Sequence, residues 1–172
     1  MAKNFETPDF SRVAKETMRH IVHIAAVEGL RFFQDRFREQ GWKNVALEPW
    51  KPKKHKDGYK ILLKTRYLEN SIQVFSKSSK RIVFGSDAEY AQIHNEGGTI
   101  RVTNSAKAKR FFWYMWRKTR QPRWKAMAMS KKPFFVIHIP KRQFIGESRW
   151  LLNHLENEFK TLIENQVKKL KS

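Results

Sequence analysis

The residues best suited to chemistry cluster between positions 87 and 96. They are Asp87, Glu89, His94, Asn95 and Glu96. Carboxylates and an imidazole can bind a divalent cation, which on a basic protein would suit a nuclease. Their order and spacing match no metal-binding motif, and capping, turn formation and packing account for the same residue types. The cluster therefore gives little support to catalysis.

A second candidate is the pair His20 and His23, which share one face of a predicted helix. No Asp or Glu nearby completes a motif of the HExxH type. The sequence has no cysteine, which excludes disulfides and thiolate chemistry and suits a reducing cytosol. Gly97-Gly98 lacks the flanking Lys and Ser or Thr of a phosphate-binding loop. We therefore expect no enzymatic activity, no metal and no cofactor.

Charge is the strongest compositional feature. Lys and Arg number 36 against 16 Asp and Glu, which gives a formal net charge of +20. This balance favours a polyanion or an acidic protein as partner. The aromatic content of 13% is too high for a disordered basic tail. Residues 1–172 are therefore expected to form a single domain. The uncharged stretches are too short to cross a bilayer, and no signal-peptide pattern is present, so neither membrane insertion nor secretory export is expected.

The positive charge concentrates between Glu96 and Glu147, where there is no acid and where 13 Lys or Arg occur. Within it, residues 104–132 form a basic excursion, called the arm here, around six consecutive large apolar residues, Phe111 to Trp116. A monomer rarely exposes such a patch. The core, another subunit or a ligand is therefore expected to cover it.

Three interpretations of the arm stay open. Phosphates attract Lys and Arg while bases stack on exposed rings, so the arm suits nucleic acid. An arm that wraps a neighbouring subunit would have the same composition, and docking on a membrane surface is a third interpretation. The candidate residues for contact with a subunit or with DNA are Lys107, Lys109, Arg110, Trp113, Trp116, Arg117, Lys118, Arg120, Arg123 and Lys125.

Apolar spacing predicts an amphipathic helix over residues 9–40, capped at Thr7-Pro8-Asp9 and ended by Gly41, although Gly29 could interrupt it. Residues 41–58 are predicted as a lysine-rich loop pinned by Trp42 and Trp50. Residues 59–71 are predicted as a short helix, with a restart at Thr65.

The remaining pattern mixes strands and helices. Residues 72–75 and 81–84 predict an antiparallel hairpin, followed by a brief helix that ends at Gly97-Gly98. Residues 99–103 and 134–139 predict two strands that bracket the arm, and residues 147–169 predict a terminal helix. The predicted fold class is α+β: a small antiparallel sheet packed by a long N-terminal and a long C-terminal helix, with the arm between two strands.

Several segments, taken in order, resemble the phage virion morphogenesis proteins, also called tail completion proteins. They are Trp50 with the lysine-rich loop after it, and residues 61–72 (ILLKTRYLENSI), 82–86 (IVFGS), 90–98 (YAQIHNEGG) and 139–146 (IPKRQFIG). The ordered series extends over more than half of the chain. It departs from the family at Arg66, where a glycine usually follows the threonine, and at Lys141 and Gln143.

The resemblance implies a non-enzymatic virion protein that completes the tail so that it can join the DNA-filled head. Proteins of this kind look like small α+β domains that assemble as rings, with a hexamer expected, around the DNA conduit. The implied partners are copies of itself, other tail and neck proteins and the DNA in the conduit, with no cofactor and no membrane. The expected location is the bacterial host cytoplasm during assembly and then the virion tail or neck. The alternative is a stand-alone basic nucleic-acid-binding module.

Packing and assembly roles are expected for the matched segments. Tyr90 and Ile93 would pack the brief helix on the hairpin, His94 would hydrogen-bond near the turn, and Gly97-Gly98 would allow the reversal into the next strand. Arg142 would pair with an acid of the same or a neighbouring subunit, for which the candidates are Asp87, Glu89 and Glu96. The full set of assembly or packing residues is Trp50, Leu68, Gly85, Tyr90, His94, Gly97, Gly98, Pro140, Arg142, Phe144 and Gly146.

Overall fold

The computed structural model describes residues 9–53 and 58–171. In chain order the elements are α1 (Phe10–Glu39), β1 (Gly41–Lys43), β2 (Leu47–Pro49), α2 (Tyr67–Asn70), β3 (Ile72–Lys77), β4 (Ile82–Ser86), α3 (Ala91–Glu96), β5 (Gly98–Thr103), α4 (Ala106–Thr119), α5 (Pro122–Met129), β6 (Phe134–Ile139) and α6 (Arg149–Lys171). The α+β class with long helices at both ends is confirmed.

The strands of the described residues form three separate antiparallel ladders, β1–β2, β3–β4 and β5–β6, where one small sheet was expected. The β1–β2 ladder lies inside the segment predicted as a loop. Its strands have three residues each and include a proline, so they carry no alternating pattern to detect. Helix α1 contacts β1, β3 and β4, so the first two ladders pack on this helix and need no common sheet.

The core is built around three aromatic residues of α1, Phe32, Phe33 and Phe37, all buried. Phe37 lies 5.0 Å from the ring of Phe144 and 5.6 Å from that of Trp50. Leu68, Ile72 and Leu151 complete the same buried cluster. Rings at these distances in edge or tilted arrangements add to the stabilisation from apolar burial. The C-terminal third of α1 is therefore the centre of the fold.

Helix α1 runs without a break through Gly29. The ring of Phe84 on β4 occupies the space that a side chain at Gly29 would fill, so this glycine allows the hairpin to lie close to the helix. Asp9 caps the helix through Oδ1, which accepts from the Arg12 N–H at 3.0 Å. Thr7 and Pro8, the rest of the predicted cap, lie outside the described residues.

The helix predicted over residues 59–71 is wrong except for its last turn, α2. Leu62 and Arg66 both adopt left-handed backbone conformations, with φ of 59° and 56°, which no α-helix tolerates. Upstream, the side chain of Gln40 holds the backbone of Ile61 through Oε1 and Nε2, at 2.6 and 3.1 Å. The left-handed backbone at Arg66 is one that glycine adopts without strain, which agrees with the departure from glycine that the resemblance indicates at this position.

Helix α6 is apolar on two faces. Leu151 is buried and Leu155 packs against the core, on the side that faces α1. Leu152, Ile163 and Val167 are exposed by 57%, 46% and 44%. A helix that covers a single core needs only one apolar face. None of the helices in the described residues combines the length and apolar composition that crossing a bilayer requires.

Replacing Phe144 by alanine should lower the free energy of unfolding by about 3–5 kcal/mol, because its ring is completely buried against Phe37. Urea unfolding of the full chain measures the change. The matched control is Phe10→Ala, since Phe10 is 65% exposed and its loss should change stability by no more than about 0.5 kcal/mol. Equal effects of the two substitutions would contradict this core.

Candidate assembly interface

The arm joins the rest of the protein at a junction between the end of α3 and the chain that follows β6. Gly97 has φ of 76°, and a Cβ atom there would lie 2.7 Å from the backbone nitrogen of Lys141. The N–H of Arg142 donates to the carbonyl of His94 at 2.8 Å. Only glycine combines this backbone conformation with so close an approach. The expected chain reversal at Gly97-Gly98 is present.

Asn95 fastens the same junction with its side chain. Its Oδ1 accepts from the N–H groups of Phe144 and Ile145 at 2.9 and 3.0 Å. Trp50 adds a third bond, since its Nε1 donates to the carbonyl of Gln143 at 2.9 Å. These bonds join segments about 50 and 93 residues apart in the chain. They fix the path of the chain between β6 and α6.

The side chains of His94 and Arg142 are incompletely paired. Nδ1 of His94 and Nε of Arg142 are buried and have no hydrogen-bond partner in residues 9–53 and 58–171, although a terminal nitrogen of Arg142 lies 3.4 Å from the carbonyl of Lys51. His94 thus hydrogen-bonds at the turn through its carbonyl and not through its ring. Within the described residues, Arg142 contacts no carboxylate, neither Asp87, Glu89 nor Glu96. Pairing with an acid of a neighbouring subunit stays a prediction.

Burial perturbs both groups. Desolvation lowers the pKa of His94 below its ordinary value, and the charge of Arg142 lowers it further. Burial also lowers the pKa of the Arg142 guanidinium, which remains protonated near neutral pH because its ordinary value is so high. The junction therefore holds a half-buried positive charge beside a neutral imidazole.

Tyr90 does not pack the short helix on the hairpin in the expected way. It is 42% exposed, and its ring lies 6.3 Å from Tyr67 and 5.9 Å, edge-on, from His94. Ile93 is half-buried, and its Cδ1 lies 2.7 Å from where a Cβ of Gly98 would be. Tyr90 thus shields the His94 ring from one side.

The arm consists of α4 and α5 at the end of the β5–β6 ladder. Phe112, the only buried residue of the run from Phe111 to Trp116, stacks on Trp124 at 6.0 Å and meets Phe135 of β6 edge-on at 5.7 Å. Asn104 closes the base, because its Nδ2 donates to the carbonyls of Ser130 and Lys132 at 2.9 and 2.8 Å. The arm is therefore a small folded unit with its own aromatic centre.

The outer side of α4 combines aromatic rings with cations. Trp113 and Tyr114 are exposed by 37% and 51%. Arg120 and Lys125 approach the Trp116 ring at 5.3 and 5.5 Å, distances at which cations are attracted to the ring face. The other candidate contact residues, Lys107, Arg110, Arg117, Lys118 and Arg123, are exposed, and Lys109 is half-buried. The apolar run from Phe111 to Trp116, which was expected to be covered, is thus covered only in part in the single chain.

A groove of about 1250 Å³ lies between the arm and the β5–β6 ladder. Its apolar lining includes Phe111, Trp124 and Ile137, and Pro140 lies at the end nearest the junction. Its charged lining residues, Lys51, Lys107, Arg123 and Arg142, are all cationic. Among the described residues that line it there is no carboxylate. The groove can thus accept an apolar segment that carries negative charge.

The remaining predicted packing residues lie in the body of the protein. Trp50 and Leu68 are buried in the core with Phe144, Gly85 lies in β4 beneath the ring of Phe75, and Gly146 precedes α6. The titratable cluster from residue 87 to residue 96 is dispersed between turn and helix. Where the chain is described, no three His, Asp or Glu side chains come together as metal ligands would.

A comparison with known families matches residues 30–162 to the model of the phage virion morphogenesis family. The match includes the core, the junction and the arm. The chain belongs to the phage virion morphogenesis family. Nothing among the curated proteins or the solved structures compared with the chain matches it. The family is one of structural and assembly proteins.

Asn95 and Asn104 are the functional residues that sequence reasoning missed. Both are short amides next to a chain reversal, the setting in which Asn commonly caps backbone groups. In the sequence, Asn95 stands out only as a member of the cluster between residues 87 and 96. The sequence indicates that such residues cap backbone groups. It does not show that the backbone groups capped by Asn95 lie about 50 residues away.

Asn95→Ala leaves the N–H groups of Phe144 and Ile145 without their partner. The free energy of unfolding should fall by about 1–3 kcal/mol for each of these two donors. Asn95→Asp keeps the accepting oxygen and should lose less. Asn153→Ala, at an exposed position of α6, is the matched control and should leave the urea midpoint unchanged. Equal losses of unfolding free energy for Asn153→Ala and Asn95→Ala would contradict a stabilising role for the hydrogen bonds of Asn95.

The morphogenesis protein should lose stability as the pH falls below about 6.5, the ordinary value for histidine. Because the folded-state pKa of His94 is lowered, the unfolded chain takes up this proton first, and proton uptake favours unfolding. The stability difference between pH 7.5 and 5.5 should shrink in His94→Gln. In the control His23→Gln, which alters an exposed residue, it should persist. Identical pH profiles for His94→Gln and the parent chain would show that His94 is not responsible.

Proposed function

We propose that this protein acts in tail completion and head–tail joining, as one subunit of a ring, with a hexamer expected, around the DNA conduit. Membership of the virion morphogenesis family supports an assembly role. The observation that carries the proposal is the arm, a folded unit that projects aromatic and cationic side chains with no acid between Glu96 and Glu147.

The exposed apolar surface favours association with protein. Phe111, Trp113 and Tyr114 are each at least one-third exposed on one short helix. Aromatic residues and Arg are enriched where protein interfaces derive most of their binding energy. A ring requires a heterologous interface, in which two different surfaces of the same subunit meet. The arm supplies one such surface, distinct from the core and from α6.

The charge distribution suits the environment of a DNA conduit. The arm and its ladder contain many cations and no carboxylate, so they can lie near phosphate groups without repulsion. The same observation supports the second candidate, a stand-alone nucleic-acid-binding module. A module that neutralises about 8 phosphates would bind DNA with a log–log salt slope near −7. A strict monomer with submicromolar affinity for DNA in physiological salt would favour that candidate.

The double substitution Trp113→Ala/Tyr114→Ala should abolish the joining of heads to tails without unfolding the protein. The gene is deleted from the phage or prophage that encodes it, and each variant is supplied from a plasmid. Infectious particles are counted, and free heads and tails are scored by electron microscopy. We expect at least a hundredfold fewer infectious particles and a melting temperature close to that of the parent chain.

The matched control is Phe10→Ala/Val45→Ala, which removes two exposed apolar side chains outside the arm and should support normal yields. Normal yields for the arm variant would contradict the proposal. So would particles that are complete and infectious without any copy of the protein. Unfolding of the arm variant as a monomer would show that the two rings belong to a core and not to an interface.

A further inference from the structure

The β5–β6 ladder is covered over only half of its apolar face. Val102 pairs with Phe135 and Ile100 pairs with Ile137, so these side chains lie on the same face. Phe112 of α4 covers Phe135, whereas Ile100 and Ile137 are each 39% exposed. A two-stranded ladder alone is marginally stable in water. The uncovered half is therefore a surface that an apolar partner would stabilise.

The charge at the same place restricts what that partner can be. Arg142 lines the end of the groove, and its buried Nε has no hydrogen-bond partner among the described residues. The other charged side chains of the groove are cationic as well. A half-buried cation without a carboxylate partner is unfavourable, and a carboxylate placed beside it offsets part of that cost. The groove therefore favours an occupant that is apolar and carries a carboxylate within its apolar face.

The outer face of α6 has this composition. Leu152, Glu156, Ile163 and Val167 follow at intervals of four, seven and four residues, which places them within one face of the helix. All four are exposed. The exposed apolar residues of α1 do not form such a face. Met18 and Val27 are nine residues apart and point in opposite directions, and Phe10 lies about two turns before Met18 at the start of the helix. Only α6 offers an apolar stripe with a carboxylate inside it, among the described helices.

We propose that the groove of one copy receives the outer face of α6 from a second copy, with Glu156 pairing with Arg142. In the single chain the described part of α6 contributes no residue to the lining of the groove. Groove and α6 face are different surfaces, so the contact can repeat head-to-tail from subunit to subunit, and it closes a ring when the rotation between neighbours allows. This inference rests on the proposed ring and gives it a specific interface.

Disulfide crosslinking tests the contact, because the chain contains no cysteine of its own. Ile137→Cys and Ile163→Cys are supplied together on two plasmids to the phage that lacks the gene, and purified particles are oxidised. We expect a crosslinked dimer only when both variants are present. Val45→Cys, at an exposed position outside α6, replaces Ile163→Cys as the control and should give at most a tenth as much dimer.

A charge exchange tests the pairing. Arg142→Glu and Glu156→Arg should each reduce infectious yield at least tenfold, and the chain that carries both should recover most of the loss. Glu158→Arg reverses a neighbouring charge on α6 and is the control. A chain that carries both Arg142→Glu and Glu158→Arg should not recover the yield that Arg142→Glu loses. If Arg142→Glu fails to fold, Arg142→Gln should still lower the yield, while the crosslink between Ile137→Cys and Ile163→Cys decides the geometry.

The outcomes separate this interface from the proposed ring. Particles with several copies of the protein but no crosslink would overturn the α6 contact and leave the ring intact. Crosslinking of the Ile137→Cys variant to a different virion protein, identified by mass spectrometry, would overturn it too. Particles that lack the protein altogether, or that contain a single copy, would overturn the ring itself.

Discussion

The close contact between Gly97 and the backbone of Lys141 determines where the arm leaves the rest of the protein. Both ends of the arm's ladder pass through this point, where Gly97 has φ of 76° and the Lys141 nitrogen occupies the space of a side chain. Asn95 and Trp50 then fasten residues 143–145 by hydrogen bonds. The direction of the arm, the shape of the groove and the start of α6 all follow from this junction.

The cations of the arm and of its junction lie in two different environments, the exposed surface of the arm and the half-buried junction at Arg142. Most cations of the arm are exposed and are stabilised by water or by aromatic rings. Arg142 differs because its Nε is buried beside the neutral ring of His94 and finds no partner in the part of the chain that the structure describes. Such a group is unfavourable in the single chain. An assembly protein can tolerate that cost when a partner's carboxylate completes the site, as we propose for Glu156.

The long helices carry more apolar surface than one core can bury. The C-terminal third of α1 and the inner face of α6 supply the core, while Leu152, Ile163 and Val167 stay exposed. In a monomeric protein this pattern would be a liability. In the phage virion morphogenesis family, to which the chain belongs, it is suited to contacts formed during assembly.

Sequence alone predicted the α+β class, the course of α1 and α6, the β3–β4 hairpin and the family. It also predicted the two strands that bracket the arm, but not that they pair. Hydrophobic periodicity and motif order are local properties that the chain displays directly. Tertiary packing was needed to select which residue of the aromatic run faces inward, where Leu62 and Arg66 turn left-handed, and which residues Asn95 clamps. It was also needed to show that no acid of the described residues meets Arg142. These outcomes depend on contacts between residues tens of positions apart, whose geometry is set by the packing of whole elements and not by the spacing of neighbours along the chain.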